Sequence, residues 1–277
     1  MNPDVYCRQK AVADGSSLHY ALLFLPPEPR SAITALCAFS RELRDVVDGV
    51  SDAQVARTKL AWWRVEVGKL VEGNPSHPVM KALRPFVEAS GIRAERLNQV
   101  IDGMEMDLAQ TRFLDFTGLS RYCDLTAGAA AVETARILGC TNPRTLEYAA
   151  SLGTALQLTR IIRNVGTHAR RNRIYLPMDE LKQFEVPAAD ILQSKHSGNF
   201  AKLMAFQARR AENFFDKALG LLPAEDRRAQ RAGLIMAALQ RAALAEVERD
   251  EFRVLTHRTS LTPLRKLWLA WKTWVVA

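Results

Sequence analysis

The chain has 277 residues, 48% of them hydrophobic and 25% charged, with 14 glycines and 12 prolines. That balance excludes a disordered tail, a collagen-like repeat and a low-complexity linker, and the length suffices to bury a sizeable core. A formal charge of +8 points to an anionic partner: a phosphorylated small molecule, an acidic membrane face or nucleic acid.

The amino terminus, Met1-Asn2-Pro3-Asp4, has no basic stretch ahead of an apolar core, so we expect no secretory signal and a cytoplasmic protein. Helical periodicity then runs almost without interruption. Ile33, Leu36, Cys37, Leu43, Val46 and Val47 recur at helical spacing, as do Leu97, Val100, Ile101, Met104 and Leu108. Helices are predicted over roughly 31–50, 53–72, 78–89, 94–110, 117–138, 143–168, 188–193, 197–221, 225–253 and 262–275. They stop at Pro26-Pro27-Glu28-Pro29, Gly73-Asn74-Pro75, Ser90-Gly91, Asn142-Pro143, Pro177, Pro187 and Pro223. No alternating β-branched segment lies between hairpin turns, and no Gly-, Pro- or Ser-rich linker divides the chain. The expectation is one all-α domain over 1–277.

Two runs of small residues, Ala127-Gly128-Ala129-Ala130-Ala131 and Ala149-Ala150-Ser151-Leu152-Gly153-Thr154-Ala155, fit either close helix packing or the wall of a cavity. Cysteines at 7, 37, 123 and 140 form no CxxC pair, so neither a zinc site nor a disulfide framework is expected. No uncharged apolar run approaches the roughly 18 residues needed to span a bilayer.

Two polar faces stand out. Arg41, Arg44, Asp45 and Asp48 fall at i, i+3, i+4 and i+7, one side of a helix. Gln157, Arg160, Asn164 and His168 share a second face, with Arg163 alongside and Leu158, Ile161, Ile162 and Val165 flanking it. A helix that apolar is largely buried, and its polar groups need partners or a ligand. The basic run Arg170-Arg171-Asn172-Arg173 has no nucleic-acid module beside it, so no nucleic acid is expected. Near the carboxyl end, Leu264, Trp268, Trp271 and Val275 form a stripe with Arg265, Lys266 and Lys272 off it. Residues 264–277 therefore read as a peripheral membrane contact or as a terminal helix packed on the core.

The segment from Gln157 to His168, continuing into Arg173-Ile174-Tyr175-Leu176-Pro177, resembles the second active-site motif of the squalene/phytoene synthase family. The likeness extends through Ala38-Phe39-Ser40-Arg41-Glu42, Gly103-Met104-Glu105-Met106-Asp107-Leu108, Arg121-Tyr122-Cys123 and Ser260-Leu261-Thr262-Pro263-Leu264. Within the family it leans toward the presqualene diphosphate synthases of hopanoid-producing bacteria. The resemblance implies an isoprenoid-synthase-type helical bundle with a central cavity. It also implies head-to-head condensation of farnesyl diphosphate toward presqualene diphosphate or squalene, with Mg2+ held by aspartates. Carried over residue by residue, it places Asp48 and Tyr122 in catalysis and Asp48 on metal. Ser17, Arg41, Arg44, Gln157, Arg160, Arg163, Asn164, His168 and Arg173 fall on the isoprenoid diphosphate.

Departures from the pattern gather on the chemistry. Arg44, Asn164 and His168 stand where the family has aspartates, and of the four principal carboxylate positions only Asp48 keeps its acid. Arg160 replaces a usual asparagine, Ala131 a glycine and Gln240 a tyrosine. One expectation is a metal-dependent prenyltransferase; the other is a non-catalytic binder of isoprenoid diphosphate, or an assembly-factor-like protein. In the second case the arginines either hold a polyanion without metal or pair off with Glu42, Asp45 and Asp48.

Overall fold

The protein is described by a computed structural model that covers residues 2–49 and 52–277. Among the described residues it is all-α, with a single isolated bridge, Arg112 to Ile174, as its only extended pairing. Two short helices, α1 (Pro3–Ala11) and α2 (Ser17–Leu22), precede a four-helix group: α3 (Pro27–Gly49), α4 (Ala53–Val71), α5 (Pro78–Ser90) and α6 (Ala94–Ala109). The predicted end of α3 at residue 50 lies outside the described residues.

Next come α7 (Phe116–Cys123), a π-helical turn (Asp124–Gly128) and α8 (Ala129–Leu138), stacked end to end. Then follow α9 (Arg144–Arg163), α10 (Val165–Ala169), α11 (Met178–Gln183) and α12 (Ala188–Leu192). The chain closes with α13 (Gly198–Leu221), α14 (Arg231–Arg249) and α15 (Pro263–Val276). The short helices α1, α2 and α11 are too brief to show periodicity. The first two are fixed by caps, Asn2 Oδ1 accepting from the Asp4 amide at 2.9 Å and Ser16 Oγ from the His19 amide at 3.1 Å.

Helix α3 buries Ile33, Leu36, Phe39, Leu43 and Val47, one stripe at helical spacing, which turns Arg41, Arg44, Asp45 and Asp48 the other way. Helix α9 is central. It buries side chains around most of its circumference, from Tyr148 through Ile162, and runs along α13. Thr154 Oγ1 donates to Asp124 Oδ1 at 2.9 Å, and Thr159 Oγ1 donates to the Ala155 carbonyl at 2.9 Å, so these buried hydroxyls are satisfied.

The π-helical turn interrupts the continuous helix predicted over 117–138. Its extra residue pushes the backbone between α6 and α9, and glycine meets it on both sides. A Cβ at Gly103 would lie 2.4 Å from Thr126 Cγ2, and one at Gly153 would lie 2.4 Å from the Ala127 carbonyl oxygen. The small-residue runs thus divide by position. Gly153 permits close packing, whereas Ala127, Ala130, Ala131 and Ala149 line a cavity.

Helix α14 begins at Arg231 rather than near 225 because Asp226 is engaged elsewhere. Its buried carboxylate accepts from the Thr141 and Asn142 amides and from the Thr145 hydroxyl, tying the α8–α9 loop to the α13–α14 loop. All four cysteines are free, with Cys7 and Cys123 buried. No helix among the described residues is long and apolar enough to cross a membrane.

Candidate functional site

Helices α3 and α9 turn their polar faces toward one another across a cavity of about 610 Å3. Arg41, Arg44, Asp45 and Asp48 come from α3; Gln157, Arg160 and Arg163 come from α9. The predicted helix over 143–168 breaks at Asn164, whose backbone leaves the helical region at φ −117° and ψ 18° while its side-chain amide donates to the Arg160 carbonyl at 2.7 Å. His168 therefore sits on α10 rather than on α9, yet Asn164 and His168 still line the same cavity. Arg173 reaches it from the loop after α10. Nine of the predicted positions are thereby brought together. Ser17 lies at the first turn of α2, where its neighbour Leu18 faces the cavity instead. Tyr122 is buried behind the wall, its hydroxyl 3.4 Å from Asp107 Oδ2.

Seven arginines (41, 44, 160, 163, 171, 173 and 258) against three aspartates (45, 48 and 107) leave the lining with a formal excess of four positive charges. Three of the arginines are matched. Arg41 pairs with Asp45 at 3.4 Å, Arg171 with Asp48 at 2.6 Å and Arg173 with Asp107 at 2.7 Å. Glu42 faces α1, accepting from Lys10 and Tyr6, and Asp45 is shared with Lys10 at 3.0 Å.

The remaining guanidinium groups of the lining have no carboxylate partner among the described residues. Arg163 donates to Gln240 Oε1 and to the Thr259 carbonyl, both at 3.1 Å. Arg44 and Arg160 make no side-chain hydrogen bond or ion pair among the described residues. The Nε atoms of Arg44, Arg160 and Arg163, with Gln157 Nε2 and His168 Nδ1, are buried and unpartnered.

The electrostatics follow from burial. Desolvation, reinforced by Arg44, Arg171 and Arg173, pushes the His168 imidazole down from its ordinary value to about 4, so it is neutral at pH 7. Burial pushes the Asp107 carboxyl up, opposed by Arg173 and by the Tyr175 hydroxyl, which donates to it at 2.7 Å. Burial, together with Arg258, lowers the affinity of Arg163 for its proton.

Magnesium prefers oxygen ligands and needs carboxylates or phosphates to offset its dehydration. Here Asp48 is paired with Arg171 and Asp107 with Arg173, and no cluster of three His, Cys, Asp or Glu side chains among the described residues could hold a metal ion. The unpartnered guanidinium groups of Arg44 and Arg160 line the same cavity, and their positive charge repels a dication. These residues do not fit the metal that the resemblance implies.

An apolar cavity of about 230 Å3 adjoins the cationic one. Leu18, Cys37, Arg44, Ala127, Leu156 and Met236 line both, so the two form one continuous hollow with charge at one end and hydrocarbon at the other. Sequence reasoning missed Arg258 and the Arg171–Asp48 pair, because both depend on loops without periodicity.

Residues 12–265 match the family model described as squalene/phytoene synthase. The chain belongs to the squalene/phytoene synthase family. Curated relatives include chloroplastic phytoene synthase 1 of Arabidopsis thaliana, 30% identical over 94% of this chain, and phytoene synthase of Arthrospira platensis, 29% identical over 94% of it. The chain spans 63% of the length of the former and 89% of the latter. Among solved structures, a dehydrosqualene synthase in complex with ligand superposes with a TM-score of 0.87 at 21% identity, covering 99% of this chain and 96% of that one. The squalene synthase HpnC from Alicyclobacillus acidocaldarius gives 0.79 at 22% identity, covering 90% and 94%. The bundle is therefore the squalene/phytoene synthase fold. Within that fold Arg44 and Arg160 stand in the gap between the two motif helices.

Proposed function

We propose that this squalene/phytoene synthase homologue binds an isoprenoid diphosphate, with a farnesyl diphosphate-like molecule as the ligand class, and does so without metal. The observation that carries the reading is the trio Arg44, Arg160 and Arg163, each with a buried unpartnered Nε on a cavity that runs into an apolar hollow. Guanidinium groups pair bidentately with phosphate oxygens, so they supply the positive charge that bound magnesium would otherwise provide. The apolar hollow accepts the hydrocarbon, whose burial contributes about 0.8 kcal/mol per methylene. By this reading residues 1–277 act as a single unit.

Head-to-head condensation toward presqualene diphosphate or squalene also needs the leaving diphosphate stabilised as it departs. Losing even about 4 kcal/mol of that stabilisation slows ionisation roughly a thousandfold. We infer binding with little or no turnover, a retired synthase rather than a working one. Formation of presqualene diphosphate from farnesyl diphosphate and magnesium at an ordinary enzymatic rate would contradict this. The binding half is tested by a titration of wild type and Arg44→Gln/Arg160→Gln with farnesyl diphosphate and with farnesol. Removal of two charge-assisted contacts should weaken the diphosphate by roughly a hundredfold or more and leave farnesol within about threefold. Equal affinity of both proteins for the diphosphate would overturn the assignment.

Peripheral membrane contact is proposed for 264–277. Helix α15 docks on α14 and α2 through Ala270 and Trp274 and leaves Leu264, Leu267, Trp268, Trp271 and Val275 exposed. Arg265 pairs with Glu246 and Lys266 donates to the Gly15 carbonyl at 2.7 Å, so Lys272 is the basic group left beside the exposed tryptophans.

A further inference from the structure

A third depression in the molecule has no role in the site just described. It is a groove of about 630 Å3 on the surface, walled by Leu25, Pro29, Pro85, Phe86 and Trp274, with Glu28 and Arg228 at its polar edge. Leu138, the last residue of α8, lines this groove and also lines the apolar cavity. Leu138, half-buried, is thus the one lining residue that the two spaces share. The elements on either side repeat the arrangement. Leu22 faces the cavity and Leu25 the groove, and Gln230 faces the cavity and Ala229 the groove.

The position of this wall along the hollow is fixed by α8. Ala127 belongs to the cationic end and Leu138 to the groove end, eleven residues further along the π-helical turn and α8. At the helical rise that separation is roughly 16 Å. A chain whose head is held at Arg44 thus meets Leu138 with its tail. The backbone around the wall is pinned: Gln230 Nε2 donates to the Ala135 carbonyl at 3.1 Å and to the Gly139 carbonyl at 2.9 Å. Across the groove, Trp274 stacks on Phe24 with ring centroids 5.5 Å apart and carries the Arg231 guanidinium over its ring at 4.9 Å. With both flanks held by these contacts, Leu138 is the one lining residue that fronts both spaces.

We propose that Leu138 gates a rear opening of the apolar cavity, through which the distal end of an isoprenoid chain longer than the cavity passes into the groove beside α15. The occupant of the groove is hydrocarbon, in keeping with its aliphatic and aromatic walls. The opening lies at the end of the hollow away from the arginines, so the tail leaves without crossing the charged mouth. This rests on the isoprenoid-binding reading above, and it makes Leu138 a determinant of chain length.

The test is a chain-length series on wild type, Leu138→Trp and Ala89→Trp. Ala89 is exposed on α5 and lines only the groove, so its replacement fills the rear space without altering the cavity. Affinities for the ten-, fifteen- and twenty-carbon prenyl diphosphates are measured alongside those for the corresponding free alcohols. Both variants should weaken the twenty-carbon chain by about tenfold or more relative to the ten-carbon chain, and a Leu138→Ala variant should shift the ratio the opposite way. If neither tryptophan alters the ratio, the cavity is closed at Leu138 and the proposal fails. Because the alcohols read chain length without the head group, absence of diphosphate binding would count against the arginine site while the alcohol ratios still decide the rear opening.

Discussion

Arg44 and Arg160 owe their importance to what surrounds them. Each extends from a helix whose other faces are packed in the core, so neither can swing far to find a carboxylate, and the nearby acids are already engaged by Lys10, Arg171 and Arg173. His168 completes the charge pattern by staying neutral. The unfolded chain binds a proton at histidine near the ordinary value of 6.5, whereas the folded one does so only near 4. Between those values the unfolded state holds more protons, so folding stability falls as the pH drops through this window. Replacement by glutamine, His168→Gln, should flatten the loss. Urea midpoints of the two proteins at pH 7 and pH 5 check this: the wild type should lose more than the variant, and an identical decline in both would show that His168 does not titrate as described. Most residues of this polar face can be read from the sequence, because i, i+3, i+4 spacing on two apolar helices forces them inward. Arg258 cannot, because its loop has no period to follow.

At the level of elements, the site depends on close backbone approaches that only glycine permits. Gly166 on α10 donates its amide to the Val254 carbonyl at 3.3 Å, and a Cβ there would lie 2.2 Å from the Leu255 carbonyl oxygen. This contact seats the segment after α14, which delivers Arg258 and the Thr259 carbonyl to Arg163. Substitution Gly166→Ala should lift that segment, destabilise the fold by about 1–3 kcal/mol and weaken diphosphate binding together with it. Thermal melting with and without ligand measures both; an unchanged melting temperature would mean the strap yields freely. The long helices are legible from periodicity, and the predicted ends of α4, α5, α6, α13 and α15 fall close to the observed ones, whereas α3 already starts at Pro27, inside the Pro26–Pro29 stretch predicted as a stop, and α14 is shorter than predicted at both ends. Two features are not legible. The π-helical turn at Asp124–Gly128 and the break at Asn164 arise from packing against α6 and from a side chain closing on its own helix end, and neither leaves a mark on hydrophobic spacing.

Across the whole molecule, the hollow is graded from cationic mouth to apolar depth, and the mouth's excess of four positive charges is half of the chain's formal +8. The resemblance carried the fold because it runs nearly the full length of the chain; the departures from the family pattern fall on the few positions that face the cavity, and the proposed loss of turnover rests on them. Beside the rear groove, α15 shows two tryptophans to solvent, Trp268 at 53% and Trp271 at 55% exposure, where core packing cannot account for them. The double variant Trp268→Ser/Trp271→Ser should lose at least about tenfold in co-sedimentation with anionic phosphatidylglycerol vesicles while keeping its melting temperature. Equal partitioning of both proteins would remove the membrane contact and leave α15 as a packing helix alone.

The claim on which the rest depends is that fixed guanidinium groups now do at this mouth what a divalent ion cluster would do. Calorimetric titration of the wild-type protein with farnesyl diphosphate, first in excess EDTA and then in millimolar magnesium, reads it directly. Saturable binding in EDTA, unchanged or weakened when magnesium competes for the diphosphate, is the result this account predicts. Binding that appears only when magnesium is added, or no heat in either buffer, would contradict it.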